Sequence, residues 1–123
     1  MVKMETEVLT QEDLGQFTGT ERYYSYLMGL KLTDGIKYLA DKGKCWWILD
    51  AVASYQIKHS KVPFQLWKLE VIENKGKRGA ILTMREDSDK PELVKQKIPY
   101  TDFPLESIEF YVIDKVVLLP SEY

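Results

Sequence analysis

The sequence predicts one α+β domain, in which N-terminal helices pack on one face of an antiparallel sheet of about four to five strands. Two patterns carry this prediction. Between residues 33 and 58 apolar side chains recur at helical spacing, whereas from residue 64 onward apolar and polar side chains alternate, as they do along strands. The length of 123 residues fits a single domain, which we expect to span residues 1–123.

The N-terminal third contains short elements. Residues 1–10 have no regular pattern and are expected to form a loose tail. Thr10 and Asp13 have the spacing of a capping box, so a single helical turn is predicted from Gln11 to Phe17. The aromatic run at residues 23–28 fits a helix or a strand equally well.

Residues 34–42 allow a helix or a hairpin. Asp34 and Gly35 between apolar runs form a hairpin signal, but Thr33 or Asp34 can also cap a helix. We prefer the helix, because Ile36, Leu39 and Ala40 have helical spacing. Gly43 then stands where a helix C-cap glycine belongs.

Residues 44–58 are predicted to form a helix that is buried in the core, because few positions in this segment are polar. Trp46 is expected in the core with Ile48, Leu49 and Val52. Gln56 falls within the apolar arc and is expected to satisfy a buried backbone group. The narrow opposite stripe holds Trp47 among polar residues, which are Asp50, Ser54 and Lys58.

In the second half of the chain, apolar and polar residues alternate with a period of two. Trp67, Leu69 and Val71 are expected on the buried face of one strand. Its hairpin partner is predicted at residues 80–86, after a polar turn at 74–79, with Leu82 and Met84 on the inner side. Residues 93–98 form a further strand, followed by a loop between Pro99 and Pro104. The last strands are predicted around Ile108, Phe110 and Val112 and at 116–119, with a bulge or a tight turn at Asp114 and Lys115.

Several kinds of catalytic and metal site are excluded by composition. Cys45 and His59 are the single residues of their types, and fourteen positions along one helix separate them by roughly 21 Å, beyond hydrogen-bond reach. One Cys and one His cannot make a zinc site, and no phosphate-binding glycine loop is present. We therefore expect no catalytic residue, no metal and no cofactor.

The charge and the hydropathy of the chain limit the partners that it is expected to bind and its expected location in the cell. Lys and Arg number 17 against 19 Asp and Glu, so nucleic-acid binding is disfavoured. No stretch has the apolar length of a signal peptide or of a membrane span. We expect a cytoplasmic protein that does not bind membranes.

The candidate site is the stripe of Trp47, Asp50 and Ser54. In a structural interpretation, Trp47 covers a second small core and Asp50 accepts hydrogen bonds from a neighbouring loop. In a functional interpretation, Trp47 is an exposed anchor for a partner or ligand, and Asp50 orients it.

Five segments resemble an uncharacterised family of small bacterial and phage proteins, a domain of unknown function. They are FTGT (17–20), TDGIKYLA (33–40), WILDAVAS (47–54), FQLWKL (64–69) and LLPSEY (118–123). The resemblance covers nearly the whole chain after the tail. It implies no activity, cofactor or catalytic residue, and it makes an accessory role in a bacterium or phage reasonable.

The first hypothesis for function is a small soluble, non-enzymatic interaction protein that binds another protein or itself. A phage or mobile-element protein that binds and modulates a host complex is one version. The first alternative is a small-molecule binder or minor enzyme with a pocket between helix and sheet, which would use Asp50, Ser54, tyrosines and His59. The second is a homo-oligomeric structural protein, since edge strands at 93–98 or 116–119 would need covering.

Overall fold

The computed structural model describes residues 9–123 and confirms the α+β class. The helices are α1 (Gln11–Gly15), α2 (Asp34–Gly43) and α3 (Trp46–His59), with 3-10 turns at Leu27–Gly29 and Pro120–Glu122. Most of the predicted tail, residues 1–8, lies outside the described residues. At its end Leu9 is buried in the core and Thr10 caps α1, so these two positions belong to the folded domain.

The strands of the described residues form one sheet. Its strands are β1 (Tyr24–Ser25), β2 (Lys31–Leu32), β3 (Phe64–Asn74), β4 (Lys77–Arg85), β5 (Glu92–Ile98), β6 (Ser107–Ile113) and β7 (Val116–Leu118). They lie in the order β1-β2-β7-β6-β3-β4-β5. All neighbours are antiparallel except β2 and β7, which are parallel.

The predicted sheet was therefore too small, and its purely antiparallel arrangement was wrong. The missed strands are β1 and β2, which have two residues each, too few to show an alternating pattern. The parallel pairing of β2 with β7 joins residues far apart in the sequence, which no local pattern indicates.

The position of the helices also differs from the prediction. The two long helices lie mid-chain, between β2 and β3, and not at the N-terminus. The aromatic run, for which helix and strand were both open, forms the short strand β1 and a 3-10 turn. Met28 and Gly29 in that turn have φ angles of 57° and 76°, a left-handed conformation that a right-handed helix cannot include.

Helix α1 confirms the predicted capping box. The Asp13 N–H donates to Thr10 Oγ1, and the Thr10 N–H donates to Asp13 Oδ2, both over 3.1 Å. The helix ends at Gly15, before the predicted end at Phe17. Phe17 instead packs its ring 5.1 Å from that of Tyr38 on α2.

Helix α2 resolves the choice at residues 34–42 in favour of the helix, with Thr33 as the N-cap. The prediction for Gly43 was wrong: it is the last helical residue, and Lys44 takes the left-handed conformation with φ of 52°. Packing explains the glycine, because a Cβ at Gly43 would lie only 3.2 Å from Leu9 and 3.3 Å from Phe103.

The carboxylate of Glu122 connects the 3-10 turn Pro120–Glu122 to the start of α2. It accepts hydrogen bonds from Thr33 Oγ1 over 2.6 Å, from the Gly35 N–H over 3.0 Å and from the Leu119 N–H over 2.9 Å. A negative charge is favourable beside the free N–H groups at a helix N-terminus. A Cβ at Gly35 would lie 2.6 Å from Leu119, so glycine permits this close approach.

Helix α3 lies on one face of the sheet. The ring of Tyr55 is 5.9 Å from the indole of Trp67, which is fully buried on β3. The predicted core positions Ile48, Leu49 and Val52 are confirmed. Trp46 is not a core residue as predicted: it is half-buried, because its indole N–H donates to Asp41 Oδ1 over 3.0 Å at the surface.

Two tight turns set the register of the hairpins. Lys75 and Gly76 between β3 and β4 have positive φ angles, and so do Asp114 and Lys115 between β6 and β7. Two consecutive positive φ angles are the mark of a two-residue hairpin turn, whose twist matches that of the strands. Of the two alternatives at residues 114–115, the tight turn is therefore confirmed.

The alternating faces of the strands are as predicted. Trp67 and Leu69, Leu82 and Met84, and Ile108, Phe110 and Val112 are all 0–4% exposed. Val71 is only half-buried, since the pairing of β3 with β6 ends at Glu70 and leaves Val71 without a neighbour on β6. Strand β5 lies at the edge of the sheet, whereas β7 is interior, between β2 and β6.

Candidate functional site

The predicted site residues Trp47, Asp50 and Ser54 all lie on α3, at the spacing of one helix face. Asp50 and Ser54 are exposed, and Trp47 is partly buried against the core. Ser54 Oγ donates to the carbonyl of Ala51 over 2.6 Å. Asp50 Oδ1 accepts a hydrogen bond from the hydroxyl of Tyr26.

These contacts agree with the structural interpretation of the stripe in one respect. Asp50 accepts from the loop that carries Tyr26, as that interpretation requires. The tyrosine ring, however, packs against Trp46, with centroids 5.6 Å apart, and not against Trp47. Whether Trp47 contacts a partner stays a prediction.

The contact between Tyr26 and Asp50 gives a pH-dependent signal. Burial, then the hydrogen bond to Asp50 and its negative charge, raise the pKa of Tyr26 from 10.0 to about 12. The folded chain thus holds this proton more tightly than the unfolded chain. The resulting stabilisation is complete below pH 10 and is lost as the pH rises to about 12.

We expect this titration in the tyrosinate absorbance near 295 nm. The difference between the chain and its Tyr26→Phe variant should have a midpoint near pH 12, and Asp50→Ala should lower that midpoint without bringing it to 10. Circular dichroism checks that the variants stay folded across the titration. A midpoint near pH 10 in the unchanged chain would contradict the contact.

Grooves of the described surface lie away from the α3 stripe. Five of them, with volumes of about 270–780 Å³, have linings without Trp47, Asp50 or Ser54. The space between α3 and the sheet holds fully buried side chains, among them Val52 and Trp67. The middle of that space is therefore filled, and the groove between helix and sheet, of about 360 Å³, lies at the C-terminal end of α3, where Gln56, Gln65 and Val112 line it.

Cys45 is a buried thiol. It is 1% exposed, it donates to the carbonyl of Leu39 over 3.5 Å, and burial raises its pKa to about 12. A thiol in this state is a poor nucleophile, because the thiolate is the reactive form. Within residues 9–123, no three or more His, Cys, Asp or Glu side chains come together as a group that could hold a metal ion.

Gln56 has the structural role that its position predicted. Its side-chain amide donates to the carbonyl of Val52 over 3.2 Å and to Gln65 Oε1 over 2.8 Å, and Gln65 Nε2 donates back over 3.0 Å. Trp67 Nε1 also donates to Gln65 Oε1, over 2.9 Å. These side chains form a fully buried polar network between α3 and β3.

Sequence reasoning missed the face of the sheet opposite to the helices, which we call the open face. The helix-side residues of the central strands are almost fully buried, whereas those of the open face keep partial or full exposure. The open face carries Phe64, Leu66, Lys68, Glu70 and Ile72 from β3, Ile81, Thr83 and Arg85 from β4, Lys95 and Lys97 from β5, Glu109, Tyr111 and Ile113 from β6, and Val116 and Leu118 from β7.

One part of the open face, the aromatic corner, is apolar. Its three rings pack on one another: Phe64 lies 5.1 Å from Tyr111, and Tyr123 lies 6.2 Å from Phe64 and 5.5 Å from Tyr111. Tyr123 is 76% exposed. The aromatic corner consists of Phe64, Leu66, Tyr111, Ile113, Val116, Leu118 and Tyr123.

The opposite part, the lysine corner, is basic. It consists of Ile72, Lys77, Ile81, Lys95 and Lys97 and contains a groove of about 490 Å³. Charged residues separate the two corners: Lys68 is opposite Glu109 in the register of β3 and β6, and Arg85 pairs with Glu92 over 3.0 Å.

A signal for the aromatic corner was present in the sequence. Leu66 and Trp67 of β3, the end of β6 and all of β7 are apolar on both faces, for example Tyr111, Val112 and Ile113. Strands that are apolar on both faces are typical of sheets covered on both sides. That pattern, followed along neighbouring strands, indicates a second apolar surface.

The fold and surfaces define a small α+β protein with one mixed sheet, helices on one face and an open face divided between an aromatic and a lysine corner. The chain belongs to the Family of unknown function (DUF6876), which matches residues 8–123, so the resemblance is confirmed. It has no match among the curated proteins or among the solved structures. Its bacterial or phage origin stays a prediction.

The helices of residues 9–123 all lack the combination of length and apolar character needed to cross a membrane. The cytoplasmic location stays a prediction.

Proposed function

We propose that the chain is a non-enzymatic interaction protein that binds a protein partner through the aromatic corner of the open face. The observation that carries the proposal is the cluster of Phe64, Tyr111 and Tyr123, whose rings lie 5.1–6.2 Å apart on a face that neither α2 nor α3 covers. Single exposed apolar residues are ordinary, but contiguous ones usually mark an interaction site.

The composition of the corner fits a protein interface. Tyrosine and phenylalanine are enriched at the centres of interfaces, where they supply contact area at low cost in conformational entropy. The rings rest on β3 and β6, the middle strands of the sheet, so a partner meets a rigid surface. The charged side chains of Lys68 and Glu109 beside the corner supply the polar rim that such interfaces have.

A phage or mobile-element protein that modulates a host complex is one version of this function. A second copy of the chain is another, because β5 is an uncovered edge strand among the described residues and the aromatic corner is present on each copy. Trp47 on α3 is the competing surface, on the other side of the sheet.

Site-specific photo-crosslinking in cells of the source organism tests the proposal. A benzoylphenylalanine in place of Tyr111 reports on the aromatic corner, one in place of Trp47 reports on the α3 stripe, and one in place of the 59% exposed Tyr23 is the control for random encounters. We expect discrete products from position 111 alone. A product with twice the mass of the chain identifies a second copy as the partner.

Two results would contradict the proposal. Products from position 47 without products from position 111 would assign binding to the α3 stripe. No discrete product from either position, with the protein folded and expressed, would argue against an interaction protein of either kind.

A further inference from the structure

Strand β5 is an edge strand with a free backbone. It pairs with β4 alone among the described strands, so one row of its N–H and C=O groups has no strand partner. The register is regular from Val94 to Ile98, after an irregularity between Met84 and Arg85 of β4. An exposed edge of this length can pair with an added strand.

The side chains along this edge carry unpaired positive charge. Lys95 and Lys97 are exposed on the open face, and Lys77 lies nearby on β4. Within residues 9–123, none of these three lysines takes part in an ion pair, whereas Lys37, Arg78 and Arg85 do.

An apolar groove lies beside the lysines. It has a volume of about 490 Å³, and Ile72, Ile81 and Ile98 line it together with Lys77 and Lys97. Ile72 is 44% exposed there. Gly79 keeps the groove open at its base, because a Cβ would lie 2.7 Å from the carbonyl oxygen of Ile98.

We propose that β5 accepts an extended acidic segment of a partner protein as an additional strand. Alternate acidic side chains of that segment lie beside Lys95 and Lys97, which are themselves two positions apart, roughly 7 Å along the strand. A large apolar side chain of that segment, placed on the open face opposite Lys97 or Pro99, meets the β5 side of the groove, which these two residues line.

The chemistry favours an acidic peptide over a nucleic acid. Only a peptide supplies the N–H and C=O groups that the free edge of β5 requires. The groove is lined by isoleucines and not by rings on which bases stack. The chain as a whole carries a net charge of -2, which is unfavourable for a long polyanion. This proposal rests on the interaction function proposed above and gives it a second contact of defined chemistry.

Fluorescence polarisation with synthetic peptides tests the proposal. The probe is a labelled peptide of about eight residues, with glutamate at alternate positions, valine between them and one phenylalanine near one end. We expect it to bind, and we expect the double variant Lys95→Glu/Lys97→Glu to bind it at least about tenfold more weakly. The same double variant should bind a peptide that has lysine in place of glutamate.

Two controls separate strand addition from simple attraction of charges. A peptide with N-methyl groups at all of its backbone nitrogens keeps its charge but has no backbone N–H to donate to β5, so its binding should be lost. The variant Lys58→Glu/Lys61→Glu changes two exposed lysines near the end of α3 and should bind the glutamate peptide as the unchanged chain does.

Several outcomes would overturn the proposal. They are no binding of the glutamate peptide, equal binding of its N-methylated form, and tighter binding of an oligothymidylate with the same dependence on Lys95 and Lys97. No binding would mean that the lysines only protect the edge against aggregation. Each outcome is independent of the crosslinking at position 111, so either proposal can fail alone.

Discussion

Replacing Trp67 by alanine is expected to lower the free energy of unfolding by about 3–5 kcal/mol, the range for large aromatic side chains in a core. Trp67 is 0% exposed, its ring is stacked with Phe110 at 6.4 Å, and it packs against Tyr55 from α3. Its loss leaves a cavity where the helix layer meets the centre of the sheet. Against a total stability of about 5–15 kcal/mol, this change is large.

The loss of stability is measured by urea unfolding followed by far-ultraviolet circular dichroism. Tryptophan fluorescence is not a suitable probe here, because each variant lacks one tryptophan of the unchanged chain. Trp67→Phe keeps a ring and loses the indole N–H, so it should cost only about 1–2 kcal/mol and remain folded if Trp67→Ala does not. Trp47→Ala, at a half-buried tryptophan, is the matched control and should cost less than Trp67→Ala. Equal losses for Trp47→Ala and Trp67→Ala would mean that Trp67 is not the centre of the core.

Replacing Gln65 by leucine is expected to cost roughly 2–4 kcal/mol, because several buried groups lose their partner at once. Gln65 Oε1 accepts from Trp67 and Gln56, and Gln65 Nε2 donates to the carbonyl groups of His59 over 3.2 Å and Val62 over 3.3 Å. Gln56→Leu should cost less, since Gln65 keeps its other partners.

A double-mutant cycle measures the coupling between the two amides. The double variant Gln56→Leu/Gln65→Leu should cost less than the sum of the single variants, because the second change removes a group that the first left unpaired. Gln16→Leu replaces an exposed glutamine and should change stability by no more than about 0.5 kcal/mol. Additive effects, or a larger loss for Gln56→Leu than for Gln65→Leu, would contradict the network.

The two proposals place function on the open face, at a distance from the stripe that the sequence indicated. The polar members of that stripe have partners within the chain: Asp50 binds Tyr26, and Ser54 binds a carbonyl of its own helix. The aromatic corner and the free edge of β5 have no such explanation among the described residues. Together they offer a partner an apolar contact and a strand pairing on the same side of the sheet.

Local chemistry made part of the structure predictable. The capping residues Thr10 and Thr33 and the alternating apolar positions of β3, β4 and β6 follow from short-range preferences, so they could be identified from neighbouring residues alone. The error at Gly43 has the opposite origin. A Cβ there would crowd Leu9 and Phe103, which are distant in the sequence, as well as the Sγ of the nearby Cys45, so packing favours glycine.

The sequence by itself determined the α+β class, the buried side of β3, β4 and β6 and the absence of a Cys-His nucleophile pair, because these depend on composition and on periodicity within one element. Only the tertiary structure decided that β2 pairs in parallel with β7, that the two long helices cover a single face, and that Phe64, Tyr111 and Tyr123 meet on the other. Those arrangements join segments far apart in the chain. The pattern of a single segment says which of its faces is apolar, and the packing of all segments decides which apolar face stays uncovered.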